Sequence, residues 1–256
     1  MQSLEVRMDK VNILGIQVDV IDRPQLLAEI DRLAAAQRPA LVNNVNVNAC
    51  NIACDDPEFR EILNASEVVF CDGFGVKLGA RLLGKILGQR MTPPDWIDEL
   101  FKLCVRRRYC LYFLGDTNEV IVQFARQVKE KYPALRLVGQ HDGFFALGGD
   151  QDIRLTNEIQ RLGPDIILTG MGMPRQEKWA WQARQRLGKG VIIATGALFR
   201  WHTGYERRAP RWMTQYGLEW LARLIVSPRK HFKRYVVGLP LFFFRILKQR
   251  FGKVRE

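Results

Sequence analysis

Residues 164–196 read PDIILTGMGMPRQEKWAWQARQRLGKGVIIATG. A short apolar run, IILTG, ends in a glycine turn; an amphipathic stretch follows; a second apolar run, VIIATG, closes the unit. Runs this short and this apolar suit strands buried on both faces, and the helical pattern between them supplies the crossover that parallel strands need. The unit predicts an α/β fold built on a parallel sheet.

The same beat continues upstream. YCLYFLGD (109–116) and LRLVGQHDG (135–143) read as strands around a helix over 118–132, and a helix near Leu155–Leu162 precedes the opening stretch. Closer to the N-terminus, VNILGIQVDVI (11–21) reads as a strand, RPQLLAEIDRLAAAQ (23–37) as a helix and PALVNNVNV (39–47) as a buried strand. One helix is expected from Ala49 to about Ala65, then the strand EVVFCDG (67–73) and the helix FGVKLGARLLGKIL (74–87). Thr92-Pro93-Pro94 interrupts before the helix DWIDELFKLCVRR (95–107). The expected architecture is a Rossmann-like, mostly parallel sheet with helices on both faces, and ligands in such sheets sit beyond the carboxyl ends of the strands.

Composition narrows the class. The chain has 256 residues, 47% hydrophobic and 26% charged, enough apolar content for a sizeable core and too much for disorder. Five scattered cysteines without a CxxC pair, and only three histidines, argue against a zinc site and for reduced thiols in a cytosolic protein. The N-terminal MQSLEVRMDKVNILG lacks an apolar signal core, so export is not expected. The net charge of +12 is uneven: residues 200–256 hold 14 Lys and Arg against 3 Asp and Glu, whereas the first 199 residues are nearly neutral. That contrast suggests an α/β domain over 1–199 and a basic, amphipathic helical appendage over 200–256 with a polyanionic partner.

Small and polar residues cluster at the strand exits. They are Asn44-Val45-Asn46, Cys71-Asp72-Gly73-Phe74-Gly75, Leu114-Gly115-Asp116, and the run Gly170 to Glu177. In GMGMPRQE, Gly170 and Gly172 let a backbone come close to a ligand, Pro174 suits a first helical position, and the following helix would turn free N–H groups, with Arg175 and Gln176, towards a diphosphate. Tight packing of strand on helix is the competing explanation, and GMG is not the GxGxxG of a dinucleotide site. Asp72 is placed either to take a proton from a hydroxyl nucleophile or to cap the next helix; Asn44 and Asn46 are either turn-formers or ligand hydrogen-bonders. Asp150-Gln151-Asp152 has the form of a metal-binding DxD but opens a helix, so capping is the expectation and no metal site is assigned.

In the tail, Trp212, Tyr216, Trp220 and Leu224 recur at steps of four, and YVVGLPLFFF (235–244) is ten residues without charge between basic flanks. A span needs about twenty apolar residues, so a segment lying in an anionic membrane interface is expected, against an ordinary core helix.

Asn46, Ala53 and Pro57 in NVNACNIACDDPEF, then CDGFG, Arg90 with Asp95, FLG, GMGMPRQEKW, TGALF, Gly204, RRAPRW, GLEWLARL and SPRKHFKRY follow one another in an order that resembles the WecG/TagA/CpsF glycosyltransferases, glycosyltransferase family 26, over nearly the whole chain. The resemblance implies an inverting, metal-independent transfer from a UDP-sugar to a polyprenyl-diphosphate-linked acceptor, by a peripheral protein at the cytoplasmic face of the bacterial plasma membrane, with no cofactor. It implies Asp72 as catalytic base and Asn44, in place of the family's threonine, beside it. Binding falls to Asn46, Gly73, Arg90, Gly115, Gly170, Gly172, Arg175, Gln176 and Glu177, and to Arg223, Arg229 and Arg234 in the tail. Arg200 stands where many members have aspartate. With Asn44 it leans the expectation towards a glucosyl-type exopolysaccharide enzyme, teichoic acid and enterobacterial common antigen being the other pathways implied. Homo-oligomerisation stays open. The rival readings are a membrane- or nucleic-acid-binding protein without transferase activity and an NAD-dependent oxidoreductase; apolar runs interleaved with the basic residues favour lipid over nucleic acid.

Overall fold

The computed structural model describes residues 8–206, 209–210, 213, 219–226 and 228–252. A hairpin comes first, β1 (Lys10–Ile13) and β2 (Ile16–Asp19). It is followed by α1 (Arg23–Ala35), β3 (Pro39–Val45), α2 (Val47–Asp55), α3 (Pro57–Asn64), β4 (Val68–Cys71) and α4 (Phe74–Leu82). Next are α5 (Pro93–Arg107), β5 (Cys110–Gly115), α6 (Asn118–Lys131), β6 (Arg136–His141) and α7 (Asp150–Leu162), then β7 (Ile166–Gly170), α8 (Arg175–Arg184), β8 (Gly190–Ala194) and α9 (Leu198–Thr203).

Two local expectations are corrected. The 11–21 run is two antiparallel strands, because Leu14 (φ 51°) and Gly15 (φ 86°) both take left-handed conformations and form a tight two-residue turn. The helix expected over 49–65 breaks at Asp56, whose carboxylate accepts from the Phe59 N–H and caps a new helix with Pro57 in its first turn.

Strands β3 to β8 form one parallel sheet in the order β4-β3-β8-β7-β5-β6. Burial of both faces explains the unbroken apolar runs: Leu111 and Phe113 of β5 pack into the layer with α1, α5 and α6, and Tyr112 and Leu114 into the layer with α7 and α8. Chain order reverses at two places. β5 leads outward to β6 while its neighbour β7 leads back to β8; β3 leads to the β4 edge while its neighbour β8 leads into α9. Such reversals open crevices at the carboxyl ends of the strands.

The C-terminal part contains α10 (Glu219–Val226), α11 (Pro228–Phe232), a π-helical turn (Lys233–Val237) and α12 (Gly238–Phe251). Phe242 and Ile246 are fully buried in a core shared with the hairpin, α2 and α4. A methyl group on Gly79 of α4 would stand only 2.7 Å from the Phe242 ring, so the glycine is what allows the two helices to close. Gln249 accepts from the Leu14 N–H and donates to the Asn12 carbonyl, and Arg245 reaches Asp55 at 2.6 Å. The YVVGLPLFFF run is therefore not uniformly outward-facing: Phe242 is buried, Phe243 partly buried and Phe244 exposed. The boundary expected at 199/200 falls inside α9, whose Leu198 and Phe199 are buried in the main core. Trp212 and Tyr216 of the expected aromatic face, and the side chain of Arg223, lie outside the described residues. Among the described residues no helix is long and apolar enough to cross a membrane.

Candidate active site

Two adjoining cavities lie at the two reversals. The first, about 360 Å³, gathers Asn44 and Asn46 from the end of β3, Asp72 and Gly73 from the end of β4, Arg90 from the loop after α4, and Arg234 from the π-helical turn. Trp220 of α10 and Tyr235 complete its wall with rings 6.2 Å apart. The second, about 880 Å³, is formed by Asp116 after β5, the 143–146 loop, Gly170, Arg175 and Arg200. Gly172, Gly196, Ala197 and Glu206 belong to both and form the wall between them. Gly172 (φ 79°) and Gly196 (φ 57°) are both left-handed, which accounts for glycine at each.

Around the first cavity, hydrogen bonds tie the lining segments to the sheet. The Asp72 N–H donates to the Val45 carbonyl, extending the β3–β4 pairing, and α4 begins only at Phe74 with Gly73 as its N-cap. Asn46 is the N-cap of α2, its side-chain oxygen accepting from the Ala49 N–H. Asn44 is buried and donates its amide to the Ala194 carbonyl of β8 at 2.8 Å, leaving the amide oxygen as its acceptor for anything in the cavity. Arg90 pairs with Asp95 at 3.4 Å, and the N–H of Met91 donates to the Cys71 carbonyl, fastening this loop beside Asp72. Burial pushes the neighbouring Cys71 thiol up to about 11, so it stays protonated at neutral pH.

The GMGMPRQE segment is arranged differently from the expectation. Pro174 is the N-cap, not the first helical residue, and follows a cis peptide bond. Gln176 is fully buried: it accepts from the Gly172 N–H and donates to Glu177 Oε1, so it braces the glycine turn from behind. Glu177 is also fully buried, with Oε2 lacking a hydrogen-bond partner among the described residues, and burial pushes its carboxyl up to about 7 despite the bond from Gln176. Arg175 donates to the Gly143 and Phe145 carbonyls and lies over the Phe145 ring, 5.2 Å from its centroid. Gly115 (φ 143°) and Gly170 are forced by crowding, since a methyl group on Gly115 would sit 2.5 Å from the Gly170 backbone. In the DxD segment, Asp152 accepts from the Gly148 N–H, Thr156 and the Trp179 indole, a helix-start and packing role. Among the described residues no cluster of three or more His, Cys, Asp or Glu could hold a metal ion.

Of the expected residues, Asn44, Asn46, Asp72, Gly73, Arg90 and Arg234 line the first cavity. Gly170 and Arg175 line the second, and Gly172 lines both. Gly115, Gln176 and Glu177 stand behind the walls, and Arg229 is exposed outside both cavities. Sequence reasoning placed Asp116 at a strand exit but gave it no role, and did not foresee that Arg200 pairs with it at 2.7 Å.

The glycosyl transferase WecG/TagA/CpsF family model matches residues 11–256. Among similar curated proteins, the N-acetylglucosaminyldiphosphoundecaprenol N-acetyl-beta-D-mannosaminyltransferase of Bacillus subtilis (strain 168) is 29% identical over 215 residues, 84% of this chain and 81% of the relative. The protein of the same name from Staphylococcus aureus (strain NCTC 8325 / PS 47) is 25% identical over 243 residues, 94% of this chain and 93% of the relative.

Proposed function

This chain belongs to the glycosyl transferase WecG/TagA/CpsF family and is a glycosyltransferase, and from that premise we propose that it moves a sugar from a UDP-sugar to a polyprenyl-diphosphate-linked sugar, inverting the anomeric centre and using no metal. The observation that carries this reading is the first cavity, where a carboxylate at a strand exit, two asparagines and a tail arginine face one space. Asp72 takes the proton from the acceptor hydroxyl as its oxygen attacks the anomeric carbon; the bond from that carbon to the diphosphate oxygen breaks, and UDP departs. Asn44 and Asn46 hydrogen-bond sugar hydroxyls. Negative charge growing on the leaving diphosphate is met by cationic side chains fixed before reaction begins, which is where electrostatic catalysis is most effective.

The acceptor named for the two relatives is a lipid diphosphate. In keeping with that, α12 carries an outward apolar face, Leu241, Phe244, Leu247 and Phe251, opposite the face that holds Phe242 and Ile246. With Lys248 and Arg250 on the same helix, that face suits a peripheral position on an anionic membrane, at the cytoplasmic face of the bacterial plasma membrane.

Both relatives are named for N-acetylmannosamine transfer, so UDP-N-acetylmannosamine is the first donor we propose. Glucose is the second, favoured by Arg200 at a position where the family pattern has aspartate. The test is a screen of UDP-N-acetylmannosamine, its uronic acid and UDP-glucose with a synthetic prenyl-diphosphate-N-acetylglucosamine acceptor, with and without EDTA. Transfer from one donor, undiminished by EDTA, is the expected result. No transfer from any donor, together with no binding of UDP, would overturn the proposal.

A further inference from the structure

We propose that Arg200 is the phosphate-binding arm of the second cavity, a specificity-determining residue that Asp116 holds in place for a diphosphate. This inference rests on the reading that a nucleotide sugar occupies the strand exits.

Asp116 is built into a junction of three loops. Its N–H donates to the Gly170 carbonyl at the end of β7, its carbonyl accepts from the Gly143 N–H, and one carboxylate oxygen accepts from the Thr117 N–H. It holds a left-handed conformation at φ 57°, which a non-glycine residue adopts at a cost that these bonds offset. Its other oxygen receives Arg200 Nε at 2.7 Å, in a pair whose aspartate side chain is only 6% exposed.

That single bond uses the guanidinium by its inner edge. Arg200 is 35% exposed, lines the second cavity, and its two terminal Nη groups make no hydrogen bond among the described residues. A planar fork anchored at Nε and open at both Nη atoms is preorganised for two oxygens of one phosphate. The other arginine of the cavity offers less. Arg175 has a terminal nitrogen committed to two carbonyls of the 143–145 segment and its plane against Phe145, so it shapes the loop. Asp116 alone would repel an anion; neutralised by Arg200, it turns a repulsive wall into an attractive one.

A phosphate in this place has two sources, the donor nucleotide and the lipid-linked acceptor. Full-length Arg200→Ala and Arg200→Lys proteins are compared with wild type in titrations with UDP, UMP and uridine, and in steady-state kinetics with the prenyl-diphosphate acceptor; melting temperature checks the fold. Loss of two charge-assisted hydrogen bonds should weaken UDP binding by about tenfold to a hundredfold in Arg200→Ala. Uridine binding should be unchanged, and Arg200→Lys should fall between, keeping the charge without the fork. Asp116→Asn should weaken UDP binding less than Arg200→Ala and add little to it in the double variant. Unchanged UDP affinity with a tenfold rise in acceptor KM would assign the same phosphate chemistry to the lipid acceptor. Equal losses for uridine and UDP, or no loss for either diphosphate ligand, would overturn the proposal. UDP failing to bind the wild-type chain would instead sink the parent reading of a nucleotide at the strand exits.

Discussion

Asp72 directly follows a strand and Glu177 lies in the first turn of α8, and their surroundings give the two carboxyls different chemistry. Asp72 lines a cavity, whereas Glu177 is sealed behind the glycine turn. Asp72→Asn keeps the shape and removes the basic oxygen. It should lower kcat by about 10²–10⁴-fold, with melting temperature and UDP affinity unchanged; near-normal turnover would remove Asp72 as the base. Glu177 acts on stability. A carboxyl held at about 7 in the folded chain, against an ordinary value of 4.5, keeps its proton preferentially in the native state. The stability it contributes is full below about 4.5 and is lost as pH climbs through about 7. Urea unfolding of wild type and Glu177→Gln at several pH values should show this loss, on the order of 3 kcal/mol, in wild type and its absence in the variant. His202 is buried enough to be held below the usual histidine range, which changes stability in the opposite sense, so the difference between the two proteins isolates Glu177.

Among the elements, α12 tests the packing most directly. Phe242→Ala empties a fully buried ring site between α12 and α4 and should cost about 3–5 kcal/mol in urea unfolding. Parallel strands were legible because burial on both faces leaves a continuous apolar run, and the helices between them because one face alone is apolar. The hairpin was not, since Leu14-Gly15 lacks the asparagine or aspartate that usually marks such a turn. The break at Asp56-Pro57 is written in the sequence as a cap residue followed by proline. Three consecutive phenylalanines carry no periodicity, so only the neighbouring helices decide that Phe242 turns inward and Phe244 outward. The first cavity was readable because its residues sit at strand exits. The inward use of Gln176 and the partnership of Asp116 with Arg200 were not, because they depend on which loops the sheet order brings side by side.

For the molecule as a whole, the proposed membrane face and the core share one helix, and a test has to separate them. Truncation after Thr195 would remove Phe199 and Phe242, both fully buried, and would confound binding with collapse. Replacing the exposed Phe244, Leu247 and Phe251 together by serine touches only the outer face. This triple variant should melt like wild type yet no longer sediment with vesicles containing anionic lipid, and wild-type sedimentation should weaken as salt rises. Sedimentation of the variant equal to wild type would exclude this face as the docking surface.

Because Gln249 is bonded to Asn12 and Leu14, the hairpin is completed by a helix that is synthesised more than two hundred residues later. During translation the nascent chain must leave the hairpin, α2 and α4 with an unfilled apolar trough until α12 has cleared the ribosome. Prematurely terminated products should therefore be insoluble and chaperone-bound.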